Sequence, residues 1–585
     1  MCWNLWRRVG HGEVYSGSGA KPAVHCCCMG MRIAIVVAIL AVLGLPLLLR
    51  QGAVVRVDPN ARRLVIVTPH VPQIRQEFGE AFGRWHQRVY EEPVFIDWRV
   101  PGGTSDIMKQ LVAQYAAAVR TGAIAADGSC KPGTMTFDLM FGGGSFDHGR
   151  VKSNPGVFVE VPNLADPMKP TQKRVPMSVP AGFTQEQLDG WFGENTIGAN
   201  KLYDPEQYWI GTALSSFGIV YNIDVLRQLN LPETKTFADM AEPAYAGWVI
   251  LADPRQSGSV MTAMDAILSN YGFDEGWRIL RAMSANARYF TNSSTKPPID
   301  VSQGEAAAAL VIDFYGRGQA EGVLAPGQDP STSRVGYVDP VGKTAIDADP
   351  ISILRGGPDP ELAKRFVEFC MTDEAQALWQ FPSRNRAEGA ANPTSEFGEP
   401  MGPREHQLRR MPVKRSMYAR YTANMIDKVD PFTIASQVKP AGWRDGIGIM
   451  MGAFAIDVSH QQRKAWAAVQ RVKLDPKFPQ ATAAAMEELF FAWPTTPVLP
   501  SKPGEVMAVG EAAIPFTKET FAKVNEQWKR PGVKAAMEIR YTNFFRECYV
   551  RIIAAERTSI APKCPDTGLT ASQSRIQIPS QTPPP

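Results

Sequence analysis

Trp248–Gly272, WVILADPRQSGSVMTAMDAILSNYG, is the stretch whose reading decides the fold. Val249–Ala252 is a short apolar run bounded by Gly247 and by Asp253-Pro254, which is the pattern of a buried strand. Ser257-Gly258-Ser259 then makes a small-residue turn. Val260, Met261, Met264, Ile267 and Leu268 follow at helical spacing, with Gly272 as a stop. A strand, a Ser-Gly-Ser turn and a helix start present free N–H groups, hydroxyls and the positive end of a helix dipole, a setting suited to an anion. Read in isolation, Ser257 or Ser259 is a helix cap.

The same alternation holds on both sides. Upstream, Leu64–Thr68 is a strand that runs into Pro69-His70, and Ile74, Phe78, Ala81, Phe82 and Trp85 form one apolar helix stripe. Val94–Arg99 alternates as a strand, and Pro101–Ser105 turns into a helix through Ile107, Leu111 and Tyr115. Phe137–Phe141 is a third strand that ends in Gly142-Gly143-Gly144-Ser145. This order predicts an α/β domain with a largely parallel sheet, whose ligands sit beyond the carboxyl ends of the strands. Pro155–Tyr208 reads as irregular. Tyr208–Asn222 gives two β-like runs around Ser215-Ser216, either a hairpin or a strand that crosses between lobes. Downstream, Ala287–Thr291 is a strand followed by Asn292-Ser293-Ser294, Val301–Ala309 a helix, and Leu310–Tyr315 a strand presenting Asp313 and Tyr315. Gly336–Val341 and Asp349–Leu354 are further strands, and Pro360–Trp379 is one amphipathic helix.

From about Asn392 the pattern changes to helices without strands. The basic run Arg404–Arg415, REHQLRRMPVKR, reads as a solvated helix face. The division expected is a leader (1–30), a signal or membrane anchor (31–50), a main domain (64–390), a helical extension (391–560) and a disordered tail (561–585). Met31-Arg32, the uncharged run Ile33–Leu49 and Arg50 favour an uncleaved anchor, with a cleaved signal second; Met29 or Met31 is an alternative start.

The chain has 585 residues, 44% hydrophobic and 21% charged, with a net charge of +4. That is a globular composition with room for about two to four domains, and the charge gives no ground for a nucleic-acid partner. Eight cysteines are present, four of them in the leader. Cys130, Cys370, Cys548 and Cys564 make no zinc spacing; a Cys548–Cys564 bridge is an open option. No GxSxG elbow, HExxH pair or P-loop occurs, and Asp147-His148 is the one acid–base pair in view.

Five stretches together resemble the periplasmic solute-binding proteins of ABC importers, in the group of the ferric-ion-binding proteins. They are LVIVTPHVPQIRQEF, DLMFGGGSFDH, Tyr208–Asn222, ADPRQSGS through YGFDEGW, and DADPISIL through LWQFP, in order from Leu64 to Pro382. The resemblance implies an α/β fold of the type 2 periplasmic-binding class: a two-lobed clamp, here with a C-terminal helical extension. It implies a non-enzymatic receptor, monomeric, outside the cytoplasm, which closes on an anion or a metal–anion complex and delivers it to an inner-membrane permease. Ser257, Gly258 and Ser259 match the family's anion-holding turn. His70 and Tyr315 fall where its metal ligands can stand, so ferric iron with a bound anion is one implied cargo. The chain departs from the family at Phe314-Tyr315-Gly316, which has one tyrosine where the ferric binders have two. Iron prefers several hard oxygen donors, which places an organic or phosphorus-containing anion beside it. Gly143, Gly144, Ser215, Ser216 and Asn292 complete the expected ligand set. An enzyme on a similar scaffold is a second reading, and a sensor or assembly protein a third, suggested by the extension.

Overall fold

A computed structural model describes residues 35–40, 58 and 60–569, apart from 154–156, 162–170, 326–327, 329–331, 498–512, 531 and 567. Most of the expected leader, anchor and tail therefore lies outside the described residues. Residues 35–40 are an exposed helical stretch in a unit of their own, Met1–Pro59. No helix among the described residues is long and apolar enough to cross a membrane.

The unit that begins at Asn60 is built on an 11-stranded sheet. Its main path runs Val94–Arg99, Arg62–Val67, Leu139–Phe141, Ile346–Leu354, Ile210–Asn222, Ala308–Ile312, Val249–Ala252 and Ala287–Thr291. Ile210–Asn222 is one continuous strand of 13 residues, not two runs. Its first half pairs with Ile346–Leu354, ending at Ser216 opposite Ile346; from Phe217 it pairs with Ala308–Ile312. The change of partner at Ser216–Phe217 divides the sheet into two lobes. Each lobe has its own apolar core: Ile74, Phe78 and Trp379 in the first, Met264, Trp277 and Leu280 in the second.

Several expected elements differ. Val301–Ala309 is not a helix: the helix is Lys296–Ser302, and Ala308–Ile312 is a fully buried strand. The alanine run has helical propensity, but its small side chains sit between two flanking strands, and packing overrides propensity. That strand stops at Ile312. Asp313 and Tyr315 lie in the first turn of the helix Asp313–Gly322 and do not alternate along a strand. Pro360–Trp379 is two helices, Pro360–Cys370 and Asp373–Gln380, the second capped by the Thr372 hydroxyl. Within 155–208 a strand pair, Phe158–Val161 with Thr171–Arg174, and the helix Gln185–Phe192 are ordered. Cys130, Cys370, Cys548 and Cys564 are free thiols.

The region after Asn392 contains strands as well as helices. Met411–Pro412 adds to the crossing strand opposite Ala213 and Leu214, and Trp493–Pro497 pairs with Ala513–Pro515. The helices Arg444–Phe454, Ser459–Leu474, Gln480–Phe490 and Val533–Thr558 pack into the core of the second lobe. Ile447, Phe454, Trp466, Phe490 and Phe545 are continuous there with Trp277 and Leu280.

The basic run is not a helix face. Arg404–Lys414 is an extended strap across the lobes, held to the first lobe at both ends and to the second in its middle. At the far end Lys414 Nζ donates to the Met371 carbonyl (3.0 Å). The buried Glu77 carboxylate accepts from the amides of Arg404 (2.6 Å), Glu405 (2.8 Å) and His406 (2.8 Å), tying the strap to the first lobe. Arg409 donates to Asp427 and to the Arg317 carbonyl (2.8 Å) in the second. Arg409 has φ 52°, a left-handed conformation rare for a side-chain-bearing residue. Pro412 is the signal against a helix, since the residue before a proline is driven to extended backbone.

Candidate functional site

A cleft of about 560 Å³ opens where the lobes and the strap meet. His70, Gly143, Gly144, Ser215, Ser257, Gly258, Ser259, Asn292 and Tyr315 all line it. Ser216 does not. One residue along an extended strand reverses the side chain, so Ser216 faces the opposite side, bonded to Asp339 and Tyr337.

Among the helices that begin at this cleft are Thr104–Arg120, Ser145–Ser153, Gly258–Tyr271 and Asp313–Gly322. Each brings first-turn amides and the positive end of a dipole, the Ser145 amide already donating to Asp347 (3.0 Å). At the third, the Ser257 hydroxyl accepts from the Val260 amide (3.3 Å) and lies 3.1 Å from the Ser259 hydroxyl. Ser257 is thus a helix cap and a cleft residue at once. The triple glycine serves packing. A Cβ on Gly142 (φ 93°) would stand 2.5 Å from His70 Nε2, and one on Gly143 (φ 113°) 2.9 Å from Thr104 Cγ2. Those glycines let His70 and Thr104 close on the strand end.

The residues that sequence reading missed come mainly from the strap and the extension. Arg410, only 4% exposed, donates through Nη1 to His70 Nε2 (3.0 Å) and Asp349, and through Nη2 to Ser215 Oγ (2.9 Å). Its guanidinium stacks 4.1 Å over the Phe314 ring. Burial lowers the Arg410 pKa to about 10, which leaves it cationic at neutral pH. Burial, and next the charge of Arg410, hold the His70 pKa well below the ordinary value, so the ring is neutral and its Nε2 can accept the Arg410 hydrogen bond while lying 3.1 Å from Asp349 Oδ2. Arg444, first residue of the helix Arg444–Phe454, also lines the cleft, as does Arg255, which is held by Asp253. Asp347 and Asp349, two apart on one strand, share the cleft face, a D-x-D alternation legible in the sequence. Burial raises the pKa of Asp347 and of Asp147, weakening the negative side of the cleft.

His148 leaves the acid–base pair. It is fully buried, bonded to Ser352 Oγ (2.7 Å) and the Gly142 carbonyl (3.2 Å), and burial lowers its pKa to about 4.

Behind Arg410, Asp313 is wholly buried, and neither carboxyl oxygen has a hydrogen-bond partner among the described residues. Arg317, Asp339 and Arg410 are its charged neighbours, and burial raises its pKa from 3.8 to about 7. Between these values the native state keeps a proton that the unfolded chain has lost. Stability therefore falls as pH rises from about 4 to 7 and levels off above. Asp313→Asn is expected to be neutral near pH 4 and to gain roughly 2–4 kcal/mol on the wild type at pH 8. Chemical denaturation at both pH values reads this, and an equal difference at the two would refute it.

Residues 182–396 match the family model described as bacterial extracellular solute-binding protein. An uncharacterized protein of Haemophilus influenzae is 27% identical over 164 residues, which is 28% of this chain and 44% of that one. The phosphoglycerate transport regulatory protein PgtC of Salmonella typhimurium is 23% identical over 169 residues, 29% and 40% of the two chains. The chain thus spans less than half the length of these curated relatives. Among solved structures, iron-bound HitA from Pseudomonas aeruginosa is 14% identical with a TM-score of 0.43, covering 66% of this chain and 97% of that one. AfuA from Actinobacillus pleuropneumoniae, with fructose-6-phosphate bound, is 16% identical with a TM-score of 0.41, covering 71% and 99%. The family match takes in Ser215, Ser257–Ser259, Asn292, Tyr315, Asp347 and Asp349, and leaves out His70, Arg410 and Arg444. Through that segment, this chain is similar to the bacterial extracellular solute-binding proteins.

Proposed function

We propose that the protein is an extracytoplasmic receptor. It captures a small organic anion between its lobes and hands it to the membrane permease of an ABC importer, with an N-terminal anchor keeping it near the membrane. The observation that carries this reading is the convergence of four helix starts and the Arg410 guanidinium on one cleft. Anions are stabilised by free amides, helix dipoles and charge-assisted donors acting together. Closure of one lobe on the other would follow from contacts that only the closed state makes.

The donor set fits an anion better than a ferric ion. His70 Nε2 already accepts from Arg410, and a cation beside that guanidinium would be repelled. Tyr315 is the one phenol lining the cleft among the described residues, whereas iron prefers several hard oxygen donors. Among the described residues no group of three or more His, Cys, Asp or Glu side chains is placed to hold a metal ion. The name of the Salmonella relative, a phosphoglycerate transport regulatory protein, is in keeping with a phosphorylated carboxylate as cargo. Native mass spectrometry of protein purified without chelator is expected to show one small organic or phosphorus-containing anion, displaced by phosphoglycerate. A retained iron mass in place of an organic anion would overturn this reading.

The word regulatory in that relative's name also favours a second reading, a sensor of the same anion. Uptake measured in cells lacking this chain separates the two. Lost uptake with the permease present fits the receptor. Intact uptake with a lost response to the solute fits the sensor.

A further inference from the structure

We infer that Arg444, delivered by the C-terminal extension, latches the two lobes across the cleft mouth and presents its charge to an anion on the Ser257–Ser259 turn. The anion part of this inference rests on the reading above, whereas the latch does not.

Arg444 is fixed on the second lobe. The preceding Trp443 is buried, and its amide donates to Asp265 Oδ1 (3.1 Å) on the helix Gly258–Tyr271. Arg444 Nη2 donates to the Gly258 carbonyl (3.2 Å) and to Thr262 Oγ1 (2.9 Å). These bonds place a cation at the N-terminus of its own helix and beside the N-terminus of a second one. Both are positive ends, where a cation is disfavoured. Something electron-rich has to offset that placement.

Part of the offset comes from the other lobe. The guanidinium carbon lies 4.2 Å from the ring centroid of Phe146, in the helix Ser145–Ser153 of the first lobe. Phe146 is 46% exposed, an aromatic ring on the rim that no first-lobe core claims. Cation–π contact is favourable, most so when water is displaced. The lobes also approach closely at the neighbouring residues: a Cβ on Gly258 would stand 3.8 Å from Asp147 Oδ2. Asp147 and Asp347 of the first lobe and Asp265 of the second also face the Arg444 charge, and burial raises the pKa of all three, which weakens them as counter-charges; an anion at the Ser257–Ser259 turn adds to them. Its arrival therefore relieves Arg444 and strengthens closure in one step, so that the two are coupled. Neither Phe146 nor Arg444 lies within the family match.

Hydrogen–deuterium exchange of the full chain, read by mass spectrometry, tests the latch whatever the cargo is. In ligand-free protein, Phe146→Ala and Arg444→Gln are each expected to speed exchange at residues 145–150 and 257–262 together, by about three- to tenfold. Phe146→Tyr should not, and the core strands 64–67 and 308–312 should stay protected in all variants. Unchanged exchange, or a change confined to the segment carrying the substitution, would overturn the latch. Phosphoglycerate is then added. It is expected to slow exchange in both segments of the wild type and to do so less in Arg444→Gln. Equal slowing in both proteins would overturn the charge role. No slowing in the wild type would count against phosphoglycerate as cargo and, with it, against Arg444 as its partner, with the ligand-free comparison still deciding the latch.

Discussion

Deleting residues 477–585 is expected to unfold the second lobe while the first keeps its structure. The extension does not lie on that lobe as a separate body. Trp277, 1% exposed, stands edge-on to Trp493 (5.4 Å), Phe516 (5.9 Å) and Phe454 (6.0 Å). Arg281 is equally buried, and its guanidinium lies 4.9–5.8 Å from five rings: Phe454, Phe490, Phe491, Trp493 and Phe545. It donates to the carbonyls of Ala492 (2.8 Å) and Phe490, the latter at the C-terminal, negative end of the helix Gln480–Phe490. Of those five rings, all but Phe454 would go, leaving a cation and a tryptophan facing water-exposed apolar walls. At about 3–5 kcal/mol for each large aromatic side chain removed, the loss of four such rings matches or exceeds the roughly 5–15 kcal/mol that holds a typical domain. Exchange at Val249–Ala252 and Ala308–Ile312 should become fast, while Arg62–Val67 and Leu139–Phe141 stay protected through their separate core. Retained protection in both lobes would show that the extension is an accessory. A point variant, Arg281→Ala, tests the same contact on a smaller scale, with an expected loss of about 3–5 kcal/mol from the orphaned carbonyls and the cavity.

What the sequence made legible follows the range of the interactions involved. The strand, Ser-Gly-Ser turn and helix of Trp248–Gly272 are specified by neighbours a few residues apart, and they stand where the periodicity put them. The same is true of Val94–Arg99 and the stripe on Pro72–Tyr90. Errors arose where distant packing decides. Ala306–Ala309 carries the residues of a helix but is clasped between strands contributed from residues 217–221 and 249–250. Ser215 and Ser216 are equivalent as hydroxyls, and only the register against Ile346–Leu354 says which one faces the cleft. Tyr315 reaches the cleft as expected, but from a helix turn and not from a strand end. Arg410 was hidden by its company: a run of basic residues ordinarily faces water, and nothing local distinguishes Arg410 from Arg409. The difference lies in the strap's left-handed turn at Arg409, which sends the two guanidinium groups to different partners, Arg409 to Asp427 and Arg410 into the cleft.

Arg410→Ala is expected to abolish anion binding, lowering affinity by more than about a hundredfold, and to destabilise the fold as well. The two losses have separate causes that a second variant can pull apart. The guanidinium supplies charge-assisted donors to the cleft, and such donors are about twice as strong as neutral ones. It also neutralises Asp349, which is 1% exposed and has one carboxyl oxygen without a partner among the described residues. Removing one member of a buried ion pair typically costs about 3–5 kcal/mol, because the other is left as an uncompensated charge. Replacing both members with apolar residues avoids that penalty. The pair Arg410→Met with Asp349→Leu should therefore recover most of the stability lost in Arg410→Ala and none of the binding. Calorimetric titration with phosphoglycerate beside thermal melting reads both quantities on the same samples. Wild-type affinity in the double variant would show that Arg410 only props up His70 and Ser215. Lost binding with restored stability would make the strap a ligand-contacting element, contributed from beyond the segment that the family model matches.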